Sequence, residues 1–461
     1  MNEQRVEDER QEELAFTLDD IVSQLLVHVE EEDLSALKAT FLGLSATDQA
    51  DVIEKLDAER RTLIIEQCYD DLSSAVFSEL SSDVKDLLLV QLTPQQIAEI
   101  LSDLESDDAL DLIETLDPEF QQAILRQLSS TMRAAVEESL SFPEESAGRL
   151  MQREIVAIPE FWSVGQALDY LKTASDHLPE TFHSVYTVDP RHHIRGEVIL
   201  SQLLSEKRDT VIQSLQNEDI FKIEAETDQE DVARLFNKEH LFSTPVIDEN
   251  KRLIGVITAD DIMHVIEEEA EEDILKLGGV SGASDIYKDI ISKTKSRFSW
   301  LAINLLTAIL ASVVINMFQA TIEQIVALAV LMPIVASMGG NAGTQTLTIA
   351  VRALATKEMS NANVWRFIMK ETAVGFLNGV LFAILVGLVT WFWFSSSILG
   401  LVIALAMIVN MLVAGIFGIS IPVLLDKTSI DPALASGVFL TTVTDVIGFF
   451  SFLGLASIIL L

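Results

Sequence analysis

The sequence predicts a multidomain protein. It has an all-α superhelical N-terminal domain, an α/β module in two copies, a connecting helix, and an all-α polytopic membrane domain of five transmembrane helices. Three observations predict this. Charge and hydrophobicity are segregated along the chain, residues 15–140 carry their apolar residues at helical spacing, and one strand-turn-helix phrase occurs twice in the middle. The boundaries are placed at 1–140, 141–275, 276–297 and 298–461.

The 461 residues include 71 acids and 31 bases, a formal net charge of −40, beside 49% hydrophobic residues. Only six acids and five bases lie from Phe298 to Leu461, so almost all the negative charge sits in the first 297 residues. Such a surplus argues against nucleic acid as a partner, because phosphate binding needs Lys and Arg patches. Cys68 is the only cysteine. An intrachain disulfide is therefore ruled out, and the soluble half suits a reducing compartment. The N-terminal MNEQRVEDERQEE has no basic stretch ahead of an apolar run, so it does not read as a signal peptide.

In residues 15–140, Leu, Ile and Ala recur at three- and four-residue spacing, as short helices require. Similar units appear at 44–65, 92–116 and 117–128, with Ser, Thr or Asp ahead of Pro or an acid at each start. The period of about two dozen residues resembles an α-solenoid of helical hairpins. A solenoid offers an extended surface and implies no chemistry by itself.

From Met151 the pattern changes. RGEVILSQLL (195–204) and IGVITADDIM (254–263) are copies of one phrase, with Gly196 and Gly255 separated by 59 residues. Each copy follows a strand, a helix and a second strand. This order, met twice, resembles a tandem pair of CBS domains. Such pairs serve as ligand sensors, and a nucleotide is a candidate ligand; the alternative is a duplicated packing module that binds nothing. The first copy lacks the acids of TADD, so the two halves are not expected to bind the same thing.

HVIEEEAEEDILKLGG (264–279) continues as a helix. The acids Asp260, Asp261, Glu268, Glu269, Glu271, Glu272 and Asp273 outnumber the local bases. They fit a solvated helix face or adaptation to a salty medium. They also fit divalent-cation sites, because Mg²⁺ and Ca²⁺ take oxygen ligands. Carboxylates that repel without a cation and converge on one make a switch. Gly278-Gly279 should break the helix before VSGASDIYKDIISKTKSRF leads into the membrane.

A bilayer core needs about 20 apolar residues in a helix. Five segments qualify: 298–318, Ile325–Arg352, Thr372–Phe394, Ile398–Leu425 and Ala433–Leu461. Lys and Arg flank the first span's start and fill the second-to-third and fourth-to-fifth connections, while the other two connections have none. The positive-inside rule then places the acidic half in the cytoplasm and the C-terminus outside.

Asp445 lies midway along the fifth span, with Thr441, Thr442 and Thr444 close in sequence. A carboxylate at membrane depth costs roughly 2.5–3.5 kcal/mol on insertion scales, so it normally faces water or a partner. No Lys, Arg or His lies within the hydrophobic cores of the spans to neutralise it. In a twofold dimer, two such acids would face each other across a cation; a protonated structural Asp is the alternative. Asn304, Asn316, Asn378 and Asn410 read as interhelical glue. In the second span, Gly339-Gly340-Asn341-Ala342-Gly343 is expected to break or loosen the helix, bringing Asn341, Thr344 and Gln345 to water or a hydrated ion.

PIVASMGGNAGTQTLTIAVRALAT (333–356) and DPALASGVFLTTVTD (431–445), with helical, paired-CBS and five-span parts in this order, closely resemble the MgtE family of magnesium transporters. The resemblance covers nearly the whole chain. It implies a homodimeric, Mg²⁺-selective channel of the cell (inner) membrane, embedded in lipid, whose cytosolic domains sense Mg²⁺ and close the pore when it is plentiful. Mg²⁺ is then both cargo and regulator, and no enzymatic activity is implied. By that resemblance Asp445 is the pore acid, with Thr441 and Thr442 near it and Asp431 at the cytoplasmic mouth. Asp107, Asp111, Asp228, Glu230, Asp261, Glu269, Glu272 and Asp273 match the family's sensor acids. His240 and His264 stand where the family has acids, which bears on the number of regulatory sites.

Two further readings stand beside the leading one. One is a broader transporter of Co²⁺, Mn²⁺ or Ni²⁺, for which Cys or His ligands would be expected; 298–461 contains neither. The other is a CBS-regulated sensor that conducts nothing. No GxxxxGK[ST] motif is present to drive transport with ATP. An inside-negative potential already favours cation entry by about 2.3 kcal/mol per charge per 100 mV.

Overall fold

Helix starts in the N-terminal domain fall where side-chain oxygens can accept from free amides. The computed structural model describes residues 18–461 except 32, 175–177, 180, 281–289, 361 and 429–430. The first helices are α1 (18–30), α2 (Leu34–Phe41), α3 (Ala46–Lys55), α4 (Ala58–Cys68), α5 (Ala75–Glu79), α6 (Ser82–Leu89), α7 (Pro94–Ser102), α8 (Ser106–Glu114), α9 (Pro118–Leu125) and α10 (Ser130–Ser139). Ser45, Asp57 and Asp117 cap α3, α4 and α9, and Thr93 with Gln96 forms a reciprocal capping box on α7. Each such cap contributes about 1 kcal/mol.

The other helix ends use a device that the apolar period does not reveal. Long side chains reach back to the last carbonyls of the preceding helix, which have no partner of their own. Arg61, only 4% exposed, donates to the carbonyls of Ile53 (3.0 Å) and Leu56 (2.9 Å). Gln121 donates to Ile113 (2.7 Å) and Glu114 (2.9 Å), and Arg133 to Arg126 at the end of α9 (3.2 Å).

After α11 (Ala147–Leu150), the duplicated phrase forms two equivalent sheets. The first copy contains β1 (Ala157–Pro159), α12 (Val164–Thr173), β2 (Ser184–Val188), β3 (Ile194–Ile199) and α13 (Leu200–Ser205). The second contains β4 (Ile223–Glu224), α14 (Gln229–Glu239), β5 (Ser243–Ile247), β6 (Leu253–Thr258) and α15 (Ala259–Leu277). In each, the first strand runs parallel to the second, and the third antiparallel to it. Tyr186, Val188 and Ile194 share one apolar core with Ile247, Leu253 and Val256, so the copies pack on each other.

The chain divides into two compact units, Met1–Glu267 and Glu268–Leu461. Within the second, α15 ends at Leu277, and Gly278-Gly279 does break it. Gly279 takes φ +71°, and a Cβ there would lie 1.9 Å from the Trp300 indole nitrogen. Residues 281–289 of the expected connecting segment lie outside the described residues.

Among the described residues, five helices are long and apolar enough to cross a membrane: α16 (Ile290–Met317), whose apolar span begins at Lys293, α18 (Ala327–Ala355), α19 (Val364–Phe394), α20 (Ser397–Asp426) and α21 (Pro432–Ile459). A short α17 (Gln319–Gln324) lies between the first two. Helix α20 is the hub, packing on α18, α19 and α21, while α16 packs on α21.

The expectation that Gly339–Gly343 interrupts the second span is wrong: α18 runs unbroken through it. These glycines allow close packing instead. A Cβ on Gly339 would sit 2.1 Å from the Asn410 side-chain nitrogen, and one on Gly343 would sit 3.0 Å from Leu440. Asn410 is fully buried and donates to the Val335 carbonyl at 2.8 Å, an interhelical tie from α20 to α18. In a membrane every backbone group needs an internal partner, which favours an intact helix over a lipid-exposed break.

Candidate functional site

Helix α21 begins at Asp431, whose carboxylate accepts from the Ala433 amide at 2.7 Å, with Pro432 in the first helical position. Along the helix, Thr441 donates to the Gly437 carbonyl (3.0 Å) and Thr442 to that of Val438 (2.6 Å). Each hydroxyl proton is used within the helix, and the oxygen lone pairs stay available to a cation or its water. Thr441 and Thr442 precede Asp445 by four and three residues, which puts the three side chains on one helix face. Asp445 is half-buried, and α21 contains no Lys, Arg or His.

Helix α18, packed on α21, adds a feature that sequence reading only partly found. Asn341, Thr344 and Gln345 are exposed, and so are Ser337 and Thr348. Positions 337, 341, 344 and 348 fall on one face at helical spacing. Asn341 leans on Ser337 (3.4 Å) and Thr348 on the Thr344 carbonyl (3.0 Å). Gly340 on α18 and Gly437 on α21 have nothing within 4 Å of an added Cβ, so open space adjoins both helices. A polar stripe at membrane depth is costly against lipid and belongs beside water or another chain. The 3.6-residue period in polar residues was the available signal for Ser337 and Thr348.

At the start of α21, Lys276 bridges two predicted ligands. Its ammonium lies 2.7 Å from Asp431 and 2.6 Å from Glu272. Desolvation pulls its pKa down, but the hydrogen bonds and charges of both carboxylates outweigh this and raise it. Burial, then the Asp431 charge, raises Asp273. Three of the predicted acids thus meet around one tethered cation. Lys276→Gln should leave them repelling one another. Proteolysis near Gly278-Gly279 should then be several-fold faster than in wild type in EDTA and recover when Mg²⁺ is added. Equal rates would show that the bridge holds nothing in place.

A second acidic group forms in the first unit, where α8 meets the start of α15. Burial, reinforced by Glu154 and Asp108, pushes Glu105 up to about 7. Burial and the nearby Asp261 and Asp108 charges hold Asp107 well above the ordinary carboxylate range. Asp261 rises to about 6 through burial and the Asp260 charge, against a hydrogen bond from the Thr258 hydroxyl (2.6 Å). Asp108 is raised by burial, moderated by Lys85 and His264. Sequence reading named Asp107 and Asp261 but missed Glu105 and Asp108.

Other predicted acids have separate engagements. Asp111 pairs with Lys85, Asp228 caps α14 by accepting from the Glu230 amide (2.9 Å), and Glu230 pairs with Arg234 (3.4 Å). Among the described residues, no three His, Cys, Asp or Glu side chains are grouped as metal ligands. A polar pocket of about 430 Å³ beside β3 is lined by Arg195, Lys222, Glu160 and Glu218, with no aromatic ring to stack a nucleotide base.

Residues 332–455 match the divalent cation transporter family MgtE, 44–145 the MgtE intracellular N domain, and 212–268 the CBS domain. The chain is similar to the magnesium transporter MgtE of Thermus thermophilus, at 33% identity over 76% of this chain and 78% of that one. It is also similar to that of Enterococcus faecalis, at 31% over 94% and 96%, and that of Bacillus subtilis, at 27% over 96% and 98%. Among solved structures, the soluble part of a magnesium transporter is 30% identical, covering 55% of this chain and 99% of that one with a TM-score of 0.48.

Proposed function

Because the chain belongs to the MgtE family of magnesium transporters, we propose that it is a homodimeric, Mg²⁺-selective channel that admits Mg²⁺ and closes when cytosolic Mg²⁺ binds its acidic domains. The observation that carries this reading is the exposed polar face of α18 beside α21, the helix that bears Asp445. Mg²⁺ gives up water reluctantly and is usually held through one or two carboxylates and retained waters. One acid per subunit among neutral oxygens can bind such an ion and release it. A second copy of the chain covers the polar face and supplies a second Asp445.

The acids around Asp107 and Asp261, and those around Asp431, fit the regulatory role. All are hard oxygen donors, and carboxylates held this close repel one another, which a divalent cation would relieve. The Lys and Arg of the connections support a cell-membrane topology with the acidic half in the cytoplasm and the C-terminus outside. The absence of thiol and imidazole from 298–461 disfavours the soft-metal alternative.

A cysteine scan tests the path, since the native Cys68 is buried and does not compete. Ser337→Cys, Asn341→Cys, Thr344→Cys and Thr348→Cys should react with a membrane-impermeant thiol reagent and lose Mg²⁺ uptake. Cysteines at the buried Val335 and Leu347 should stay unmodified. If the stripe reacted only with lipid-soluble reagents, α18 would face the bilayer and the path would lie elsewhere.

A further inference from the structure

Glu371 directly precedes Thr372, where the apolar third span begins. The structure places it inside α19, seven residues beyond Val364. At 1.5 Å per residue it sits about 10 Å along the helix. It is half-buried, and the two bases nearest in sequence on α19, Arg366 and Lys370, are exposed.

A cavity of about 110 Å³ opens at this carboxylate, enclosed by α18, α19 and α20. Its polar lining consists of Glu371, Gln345, Thr346 and Asn378. The buried Thr346 hydroxyl donates to Glu371 at 3.4 Å. Backbone contact frames the cavity. A Cβ on Gly415 would lie 2.7 Å from the Glu371 carbonyl, and one on Gly375 would lie 2.6 Å from that of Met411. None of the lining residues belongs to α21.

We propose that this cavity is a second, separate divalent-cation site of the membrane domain, with Glu371 as its charged ligand. An ionisable residue within a membrane helix is expected to face a partner or water. The space exceeds that needed for a single water. The remaining donors are a hydroxyl and two amides, neutral oxygens that suit a hard cation keeping part of its water shell. The site lies behind the α18 stripe: Gln345 is both exposed and part of the cavity lining, so it links the two.

The test uses crystals of the full-length protein soaked in MnCl₂, with Mn²⁺ standing in for Mg²⁺ and located by its anomalous signal. A peak in the cavity is expected in wild type and in Asp445→Asn, and its loss in Glu371→Gln. The proposal is overturned by an empty cavity at a Mn²⁺ concentration that fills other acidic sites, or by a peak that survives Glu371→Gln. A cavity peak with none at Asp445 would uphold this site while counting against the pore reading.

Discussion

Asp445→Asn is expected to lower Mg²⁺ uptake by at least about a hundredfold, equivalent to about 2.8 kcal/mol of lost ion stabilisation at 1.4 kcal/mol per tenfold. The substitution keeps the shape of the side chain and removes the only charge on α21. The neutral oxygens of Thr441 and Thr442 remain, but an amide attracts a hydrated divalent ion far less than a carboxylate does. Stability should move the other way. Taking a carboxylate out of the membrane removes a cost of roughly 2.5–3.5 kcal/mol on insertion scales. The variant should therefore purify with an unchanged or higher melting temperature. Uptake in a Mg²⁺-requiring strain, read beside thermal unfolding of the purified protein, separates lost conduction from lost folding. Unchanged uptake would mean that Asp445 is structural.

The second large effect is expected at the acids between α8 and α15. Glu105, Asp107 and Asp261 are raised in the folded protein, so the folded state binds protons more tightly than the unfolded one. Their contribution to stability therefore grows as pH falls from 8 through about 7 for Glu105 and about 6 for Asp261, the reverse of an ion-paired carboxylate. The charged groups facing them are Asp108, Asp260, Glu154, Lys85 and His264. A cation should replace the protons at pH 8. Mg²⁺ at a hundred times its dissociation constant would stabilise by about 2.7 kcal/mol. At pH 5 protons compete, weakening binding about tenfold per pH unit for each proton displaced. Melting of the full-length protein should thus show a large Mg²⁺ shift at pH 8 and little at pH 5. Asp107→Asn with Asp261→Asn should melt higher without Mg²⁺ and respond less to it. An equal shift at both pH values would rule out these carboxylates as the sensing groups.

The architecture was legible because each part obeys a period. The 59-residue offset between Gly196 and Gly255 becomes two sheets of identical strand order. Hydropathy alone locates five membrane helices. Errors arose where contact partners, rather than periods, decide the outcome. Gly339 and Gly343 look like helix breakers in a linear sequence, yet Asn410 and Leu440 fill the space their missing side chains leave. Glu371 was excluded because a hydropathy boundary stops at a charge, whereas the helix continues through it to Val364. Arg61 and Gln121 cap helices through contacts that no spacing rule specifies. At the candidate sites, Asp445 stands out by its depth alone, and Asp107 and Asp261 by resemblance. The bridging role of Lys276 depends on residues 155 positions apart in the chain meeting in space.

Mg²⁺ current across excised inside-out patches holding the full-length protein is the most direct measurement. With Mg²⁺ on the extracellular face, inward current should flow when the cytosolic face is bathed in chelator. It should fall as bath Mg²⁺ rises and vanish at every concentration in Asp445→Asn. A current that ignored cytosolic Mg²⁺, or one that persisted in Asp445→Asn, would contradict a Mg²⁺-closed channel built on α18 and α21.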